Sequence, residues 1–235
     1  MAIDYQNVLP DPNYEIGSDG GDGTSGNATG SNGPGFASVS LTSKAPIMKT
    51  RTNSGRMVAR AIKFHQWNIS ISYNPMTRTE FEPVYNFLIN RRGSLKPFFV
   101  SLPQYRNPQD SNLAGTIKVD GAAIAGATSM KIDGITAGNP TPGDLFTVTD
   151  ANDSNHKKAY RVTQVETNTH YNSVQPASDE RIIHFMPGLQ KATFNNADLV
   201  FTNPLVRVIA TDVQEYALGN DGLYTFSLKL EEALP

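Results

Sequence analysis

The chain has 235 residues, 38% of them hydrophobic and 18% charged, with 19 glycines and 15 prolines. That length supports one or two domains with a buried core, and that composition favours turns over long helices. A formal net charge of -2 excludes a strongly basic nucleic-acid binder, though not a local basic face, and the lack of cysteine excludes disulfides and thiolate chemistry.

The start, "MAIDYQNVLPDP", has no basic end and no apolar h-region, so a secretory signal is not expected there. No apolar run approaches the length of a membrane span. Without secretion, the sequons at Asn27, Asn68 and Asn152 read as chance matches. Scattered apolar residues (Ile3, Tyr5, Val8, Leu9, Tyr14, Ile16) suit a docking arm or a loose terminus. Residues 17–35 are glycine-rich and have little to pack, so they read as a tether. The "DGGDG" within them lacks the glutamate spacing of a helix–loop–helix calcium site.

From Phe36 the pattern becomes that of strands. "FASVSLTS" alternates weakly, and Asn53–Gly55 marks a hairpin turn. Residues 57–73 read as one strand, with Trp67, Ile69, Ile71 and Tyr73 on one side and Asn68, Ser70 and Ser72 on the other. Next comes a helix over 79–92. Thr77 and Glu80 have capping-box spacing, Met76 and Phe81 suit a hydrophobic staple, and Thr79 is a competing cap. Phe81, Val84, Tyr85 and Leu88 form its packing stripe, and Asn90-Arg91-Arg92-Gly93 closes it. Arg91 and Arg92 have two readings: a helix end on a solvated face, or a subunit or nucleic-acid contact. "KPFFVSLP" is again a strand. Its neighbours Phe98 and Phe99 point to opposite faces, which suggests a sheet covered on both sides and a contact with a neighbouring subunit.

Residues 113–200 hold five or six short strands separated by Asp-Gly and Pro-Gly turns, and read as a small inserted β-barrel. The last stretch reads as two antiparallel strands around Gly219–Gly222. The expected fold is mainly β: a split β-sandwich or barrel-like domain with one short covering helix, plus the inserted barrel. The expected parts are an arm and flexible segment (1–35), the first part of the main domain (36–112), the insertion (113–200) and closing strands (201–235).

The chemistry-bearing residues do not converge. His65, His156, His170 and His184 lack metal-ligand spacing, no phosphate loop follows a strand, no GxSxG elbow appears, and Glu80 and Glu82 cannot face each other on a helix. No catalytic, cofactor-binding or metal-ligating residue is named, no cofactor is expected, and the chain reads as a non-enzyme.

"WNISISYNPMT" followed by "TRTEFEPVYNFLINRRGSLKPFFVSLP" resembles the minor tail and distal tail proteins of tailed bacteriophages. The shared features are a strand, then a short helix with Glu82, Tyr85 and Phe87-Leu88, then Gly93, then Lys96, Phe98 and Pro103. The final "DGLYTFSLKLEEAL" is similar to the closing strand of such proteins. The resemblance implies a structural virion protein that forms a ring of copies of itself, often six. The ring sits at the distal end of the tail and joins the tail tube protein to hub, tip or baseplate proteins. DNA would meet it only in passage, and it would assemble in the host cytoplasm. Two alternatives stand beside it. One is a carbohydrate- or receptor-binding module, with Tyr160, Tyr171 or His170 of the insertion as contacts. The other is a tail tube, completion or head–tail connector protein.

Overall fold

A computed structural model describes residues 7–12, 33–61, 64–151, 156–172, 174–211 and 215–234. The glycine-rich stretch 17–35, apart from its last residues, and the sequons at Asn27 and Asn152 lie outside them. Among the described residues the chain is mainly β with one α-helix, as the strand-period patterns predict. It divides into two compact units, residues 1–98 with 208–233 and residues 99–207 with the last two.

The main sheet is ordered β1 (Phe36–Lys44), β4 (Gln66–Tyr73), β14 (Tyr224–Glu232), β12 (Leu205–Ala210) and β5 (Phe98–Ser101), and β13 (Tyr216–Leu218) pairs with β14. The division between units falls within β5 and β12. Trp67, Ile69, Ile71 and Tyr73 of β4 are all buried, as their alternation requires. On β14, Leu228 lies opposite Ile71 and Leu230 opposite Ile69. Both strands thus bury the same face, and a slip of one residue would turn every one of these side chains outward. Val8 and Leu9 are also buried, so these two apolar residues are taken up by the chain's own fold.

The expected single strand over 57–73 is two. β2 (Ile47–Arg51) and β3 (Met57–Ala61) form a separate hairpin before β4 begins at Gln66. Its turn falls where the sequence marks it: Thr52 N–H donates to Arg56 O (2.9 Å), Gly55 N–H donates to Thr52 O (2.8 Å), and Gly55 takes φ +80°. The last part likewise holds three strands rather than two, because β13 is a short separate partner of β14 beyond the Gly219–Gly222 turn.

Helix α1 (Arg78–Arg91) starts after Thr77, which is the cap; Thr79 lies inside the first turn. The Glu80 carboxylate accepts the Thr77 amide (2.9 Å) and the Thr77 hydroxyl (2.9 Å). These bonds hold its carboxyl below the usual range. Met76 is buried, and its backbone pairs with Tyr224 in both directions, at 3.0 and 2.8 Å. Phe81, Val84 and Leu88 of the expected stripe are buried, whereas Tyr85 is only half-buried and Phe87 is buried with them. The cause is a second contact on the flank of the stripe: Phe87 meets Phe98 edge-on at 5.3 Å. The buried arc is therefore wider than an i, i+3, i+4 stripe.

In the second unit, β6 (Ala114–Val119), β7 (Ser129–Ala137), β8 (Leu145–Thr149), β9 (Ala159–Glu166), β10 (Arg181–Met186) and β11 (Asp198–Val200) close into a barrel, ordered β10-β7-β6-β11-β8-β9. Closure removes the open edges that a short sheet would otherwise present. Ile132, Phe146, Tyr160, Ile183 and Phe185 fill its centre. Asp133-Gly134, read from sequence as a turn, lies within β7. Gly134 has φ +77°, and a Cβ there would stand 2.3 Å from Thr116 O; a Cβ on Gly115 would stand 2.0 Å from Gly134 O. The register of β6 on β7 shifts on both sides of Gly115. The glycines thus serve a close backbone approach at an irregular pairing, not a chain reversal.

Candidate functional site

The end of α1 separates the two arginines that the sequence could not tell apart. Arg91 is 3% exposed, and its guanidinium lies over the Phe87 ring at 5.0 Å. It belongs to the packing between helix and sheet. Arg92 is exposed and carries the left-handed residue itself (φ 52°), its N–H donating to Ile89 O at 3.0 Å. Gly93 follows with φ +63°. Of this pair, Arg92 is the one whose side chain an outside partner could reach. In β5, Phe98 is buried and Phe99 half-buried, consistent with the two faces of a pleated strand.

The histidines are dispersed. His65 stands edge-on to Trp67 at 4.7 Å and bonds Ser43 Oγ at 2.9 Å. His156 is buried, with Nε2 2.7 Å from the Tyr160 hydroxyl. His184 Nε2 lies 2.6 Å from the buried Glu166 Oε1, and exposed His170 bonds Thr169 through Nδ1 at 3.0 Å. Among the described residues, no three His, Asp or Glu side chains stand together as metal ligands would.

Tyr160, a candidate contact in the glycan-binding alternative, is a core residue. It is 0% exposed, and its hydroxyl accepts the Gln190 amide at 2.9 Å in addition to bonding His156. Period-2 alternation cannot separate the inside of a closed barrel from a ligand face, and here the ring fills the inside. Tyr171, at 48% exposed, and His170 lie outside the barrel core.

The barrel unit does carry a concavity that the sequence does not mark. It encloses about 180 Å³ and is lined by Gln104, Tyr105, Asn107, Gln109, Asp144 and Arg161 among others. The Arg161 guanidinium lies 5.8 Å from the centre of the Tyr105 ring. Asp144 is already occupied: its carboxylate accepts Gln109 N–H (2.9 Å), Thr141 N–H (2.8 Å) and the Thr141 hydroxyl (3.0 Å). The cleft thus offers amide groups and a cation set over an aromatic ring. These suit recognition of a small polar group.

A cluster of acids lies elsewhere on the barrel. Lys131 Nζ is 2.8 Å from both Asp120 and Glu180. Partial burial and the charges of Asp120, Asp179 and Glu180 raise the carboxyl of Asp133 above its ordinary range. Glu180 is held low by Lys131.

Two further uncovered features are strands. The nine-residue β1 ends the main sheet, with β4 on one side and no described strand on the other. Among the described residues the β2–β3 hairpin pairs only within itself, and its described side chains are exposed throughout. Ile47, Met48, Met57 and Val58 are each 45–63% exposed on it. No helix among the described residues is long and apolar enough to cross a membrane.

No protein-family model matches this chain, and no curated protein matches it.

Proposed function

We propose that this chain is the structural subunit of a ring at the distal end of a bacteriophage tail, joining the tail tube to the tip or baseplate hub around the path of the DNA. The observation that carries the reading is the unpaired outer edge of β1, at the end of a main sheet that curls nearly closed. β1 runs for nine residues with a described partner on one side only, so its outward N–H and C=O groups are a template for a strand of another molecule. Repeated contacts of one kind between identical copies close into a ring when the rotation between copies divides a full turn. The strand–helix–strand unit over Gln66–Ser101 supports the same reading through the resemblance described above. Its buried aromatics and its capped helix form a rigid plate that can carry such an edge. The work of the ring is mechanical: it matches one symmetric assembly to another and keeps the passage aligned. A near-neutral chain suits a passage that must not hold DNA tightly.

Light scattering on the purified protein tests this. A particle of about six times the 25.6 kDa chain mass supports it, and a monomer at every concentration contradicts it. A tail tube or connector role shares the ring and is distinguished by where antibodies against the chain label intact particles. A second reading is favoured by the Tyr105–Arg161 cleft, whose amides and aromatic ring suit a sugar. A glycan array tests it, and a bound glycan should be lost in Arg161→Ala.

A further inference from the structure

The cleft beside Tyr105 lies wholly within the second unit, and the register of the barrel explains what lines it. Phe146 lies opposite Tyr160, and Leu145 lies opposite Arg161. Opposed residues share a face, and their neighbours along each strand take the other. Phe146 and Tyr160 fill the centre of the barrel, so Leu145 and Arg161 belong to its outer side. Leu145 is nonetheless buried, and Tyr105 and Gln109 line the cleft together with it and Arg161. Tyr105 is set by the short helical turn Pro103–Tyr105, its N–H donating to Leu102 O at 2.9 Å. Gly143 is fixed beside Arg161 by its own N–H, which donates to Val162 O at 2.8 Å.

Two donors converge on Gly143. Its φ is +107°, and a Cβ there would stand 2.7 Å from Gln109 Nε2 and 3.7 Å from Arg161 Nη2. The missing side chain leaves that space open. Gln109 Nε2 gives one hydrogen to Pro142 O at 3.0 Å and keeps a second. Arg161 forms no ion pair with a described residue. Its guanidinium lies over the Tyr105 ring at 5.8 Å, and a guanidinium stacked on a ring keeps its N–H edge for an acceptor. Asp144 is the one acid in the lining, and its carboxylate is taken by Gln109 N–H, Thr141 N–H and the Thr141 hydroxyl. A neutral sugar would use the amides and leave the positive charge without a counterpart. A carboxylate uses both donors, and its plane matches the fork of the guanidinium.

We infer that this cleft binds the carboxylate of an acidic sugar, with Arg161 and Gln109 as its donors. The inference rests on the sugar-binding reading of the cleft given above and names the class of ligand. It is independent of the ring.

Saturation-transfer difference NMR on the whole chain compares glucuronate with glucose, which differ in a carboxylate against a hydroxymethyl group. In low salt, glucuronate should bind at least about tenfold more tightly. Arg161→Gln should erase that preference and Gln109→Ala should reduce it. Arg92→Ala, which removes an exposed arginine of the other unit, should leave it intact. Thermal melts check that each variant is folded. Equal binding of the two sugars by wild type, or a preference that survives Arg161→Gln, overturns the carboxylate site and leaves the sugar reading standing. Larger ligands are read on an array of acidic and neutral glycans. An acidic glycan bound by wild type and lost in Arg161→Gln supports the site, and binding of neutral glycans alone overturns it. No signal on the array or from either sugar removes both readings of the cleft. Inorganic phosphate that displaces glucuronate at equal concentration overturns the inference in favour of a site for any small anion.

Discussion

Replacing Phe81 by alanine removes the side chain on which α1 turns against the sheet. Phe81 is 2% exposed. Its ring is stacked on Tyr224 at 4.5 Å and 9°, stacked on Tyr85 at 5.1 Å, tilted against Tyr216 at 4.9 Å and edge-on to Phe226 at 5.8 Å. Truncating a buried Phe costs about 3–5 kcal/mol. Each well-formed aromatic pair adds about 0.5–1.5 kcal/mol beyond its buried area. Four such neighbours place Phe81→Ala near the top of that range, about 4–5 kcal/mol. For a chain of this size, about 1 kcal/mol lowers Tm by about 2–4 °C, so a fall on the order of 15 °C is expected. Scanning calorimetry with near-ultraviolet circular dichroism measures it. Tyr85→Ala is the internal control, because Tyr85 sits at the half-exposed margin of the same cluster and should cost less than half as much. A fall below about 4 °C for Phe81→Ala, or equal falls for both variants, would refute the reasoning that the helix is anchored through Phe81.

Four further outcomes are expected. Gly134→Ala should destabilise the chain by about 2 kcal/mol or more in urea denaturation, since its Cβ would meet Thr116 O at 2.3 Å from a left-handed backbone; a neutral effect would mean the pairing at Gly115 relaxes freely. Arg92→Gly should stabilise by about 0.5–1 kcal/mol, because a residue with a Cβ pays for φ 52° at the helix end. Tyr160→Phe should cost about 1–2 kcal/mol by removing the acceptor of the Gln190 amide and the partner of His156, without changing any glycan signal. Glu80 has its carboxyl lowered by the bonds from Thr77, so its contribution is present above the ordinary value of 4.5 and is lost as pH falls through the lowered one. The stability gap between wild type and Glu80→Ala should therefore be present at neutral pH and close on acidification, followed by thermal melts across pH.

Local rules made the skeleton readable. Alternation at Trp67, Ile69, Ile71 and Tyr73 gave the central strand and its buried face, and Asn53–Gly55 gave the hairpin turn. Capping chemistry at Thr77 and Glu80 placed the helix within a residue at either end. What the sequence hid depends on residues distant along the chain. Phe87 is buried because Phe98 comes to meet it, and Arg91 is buried because Phe87 then offers a ring. Asp133-Gly134 has the letters of a turn, but Gly115 crosses it on the facing strand and makes it part of a ladder. Tyr160 has the look of an exposed aromatic until the barrel closes around it. The break between β3 and β4 does carry a local signal, a change of phase: Ile62 and Phe64 fall on even positions, whereas Trp67, Ile69, Ile71 and Tyr73 fall on odd ones. At the candidate surfaces, Arg92 and Phe99 keep an exposed or half-exposed position, while the hairpin was legible as a turn but not as a feature left uncovered.

Electron microscopy of the purified protein in low salt is the most direct measurement of the central proposal. A closed annulus of about six copies is the expected result. Solitary particles of one chain at high concentration would contradict it.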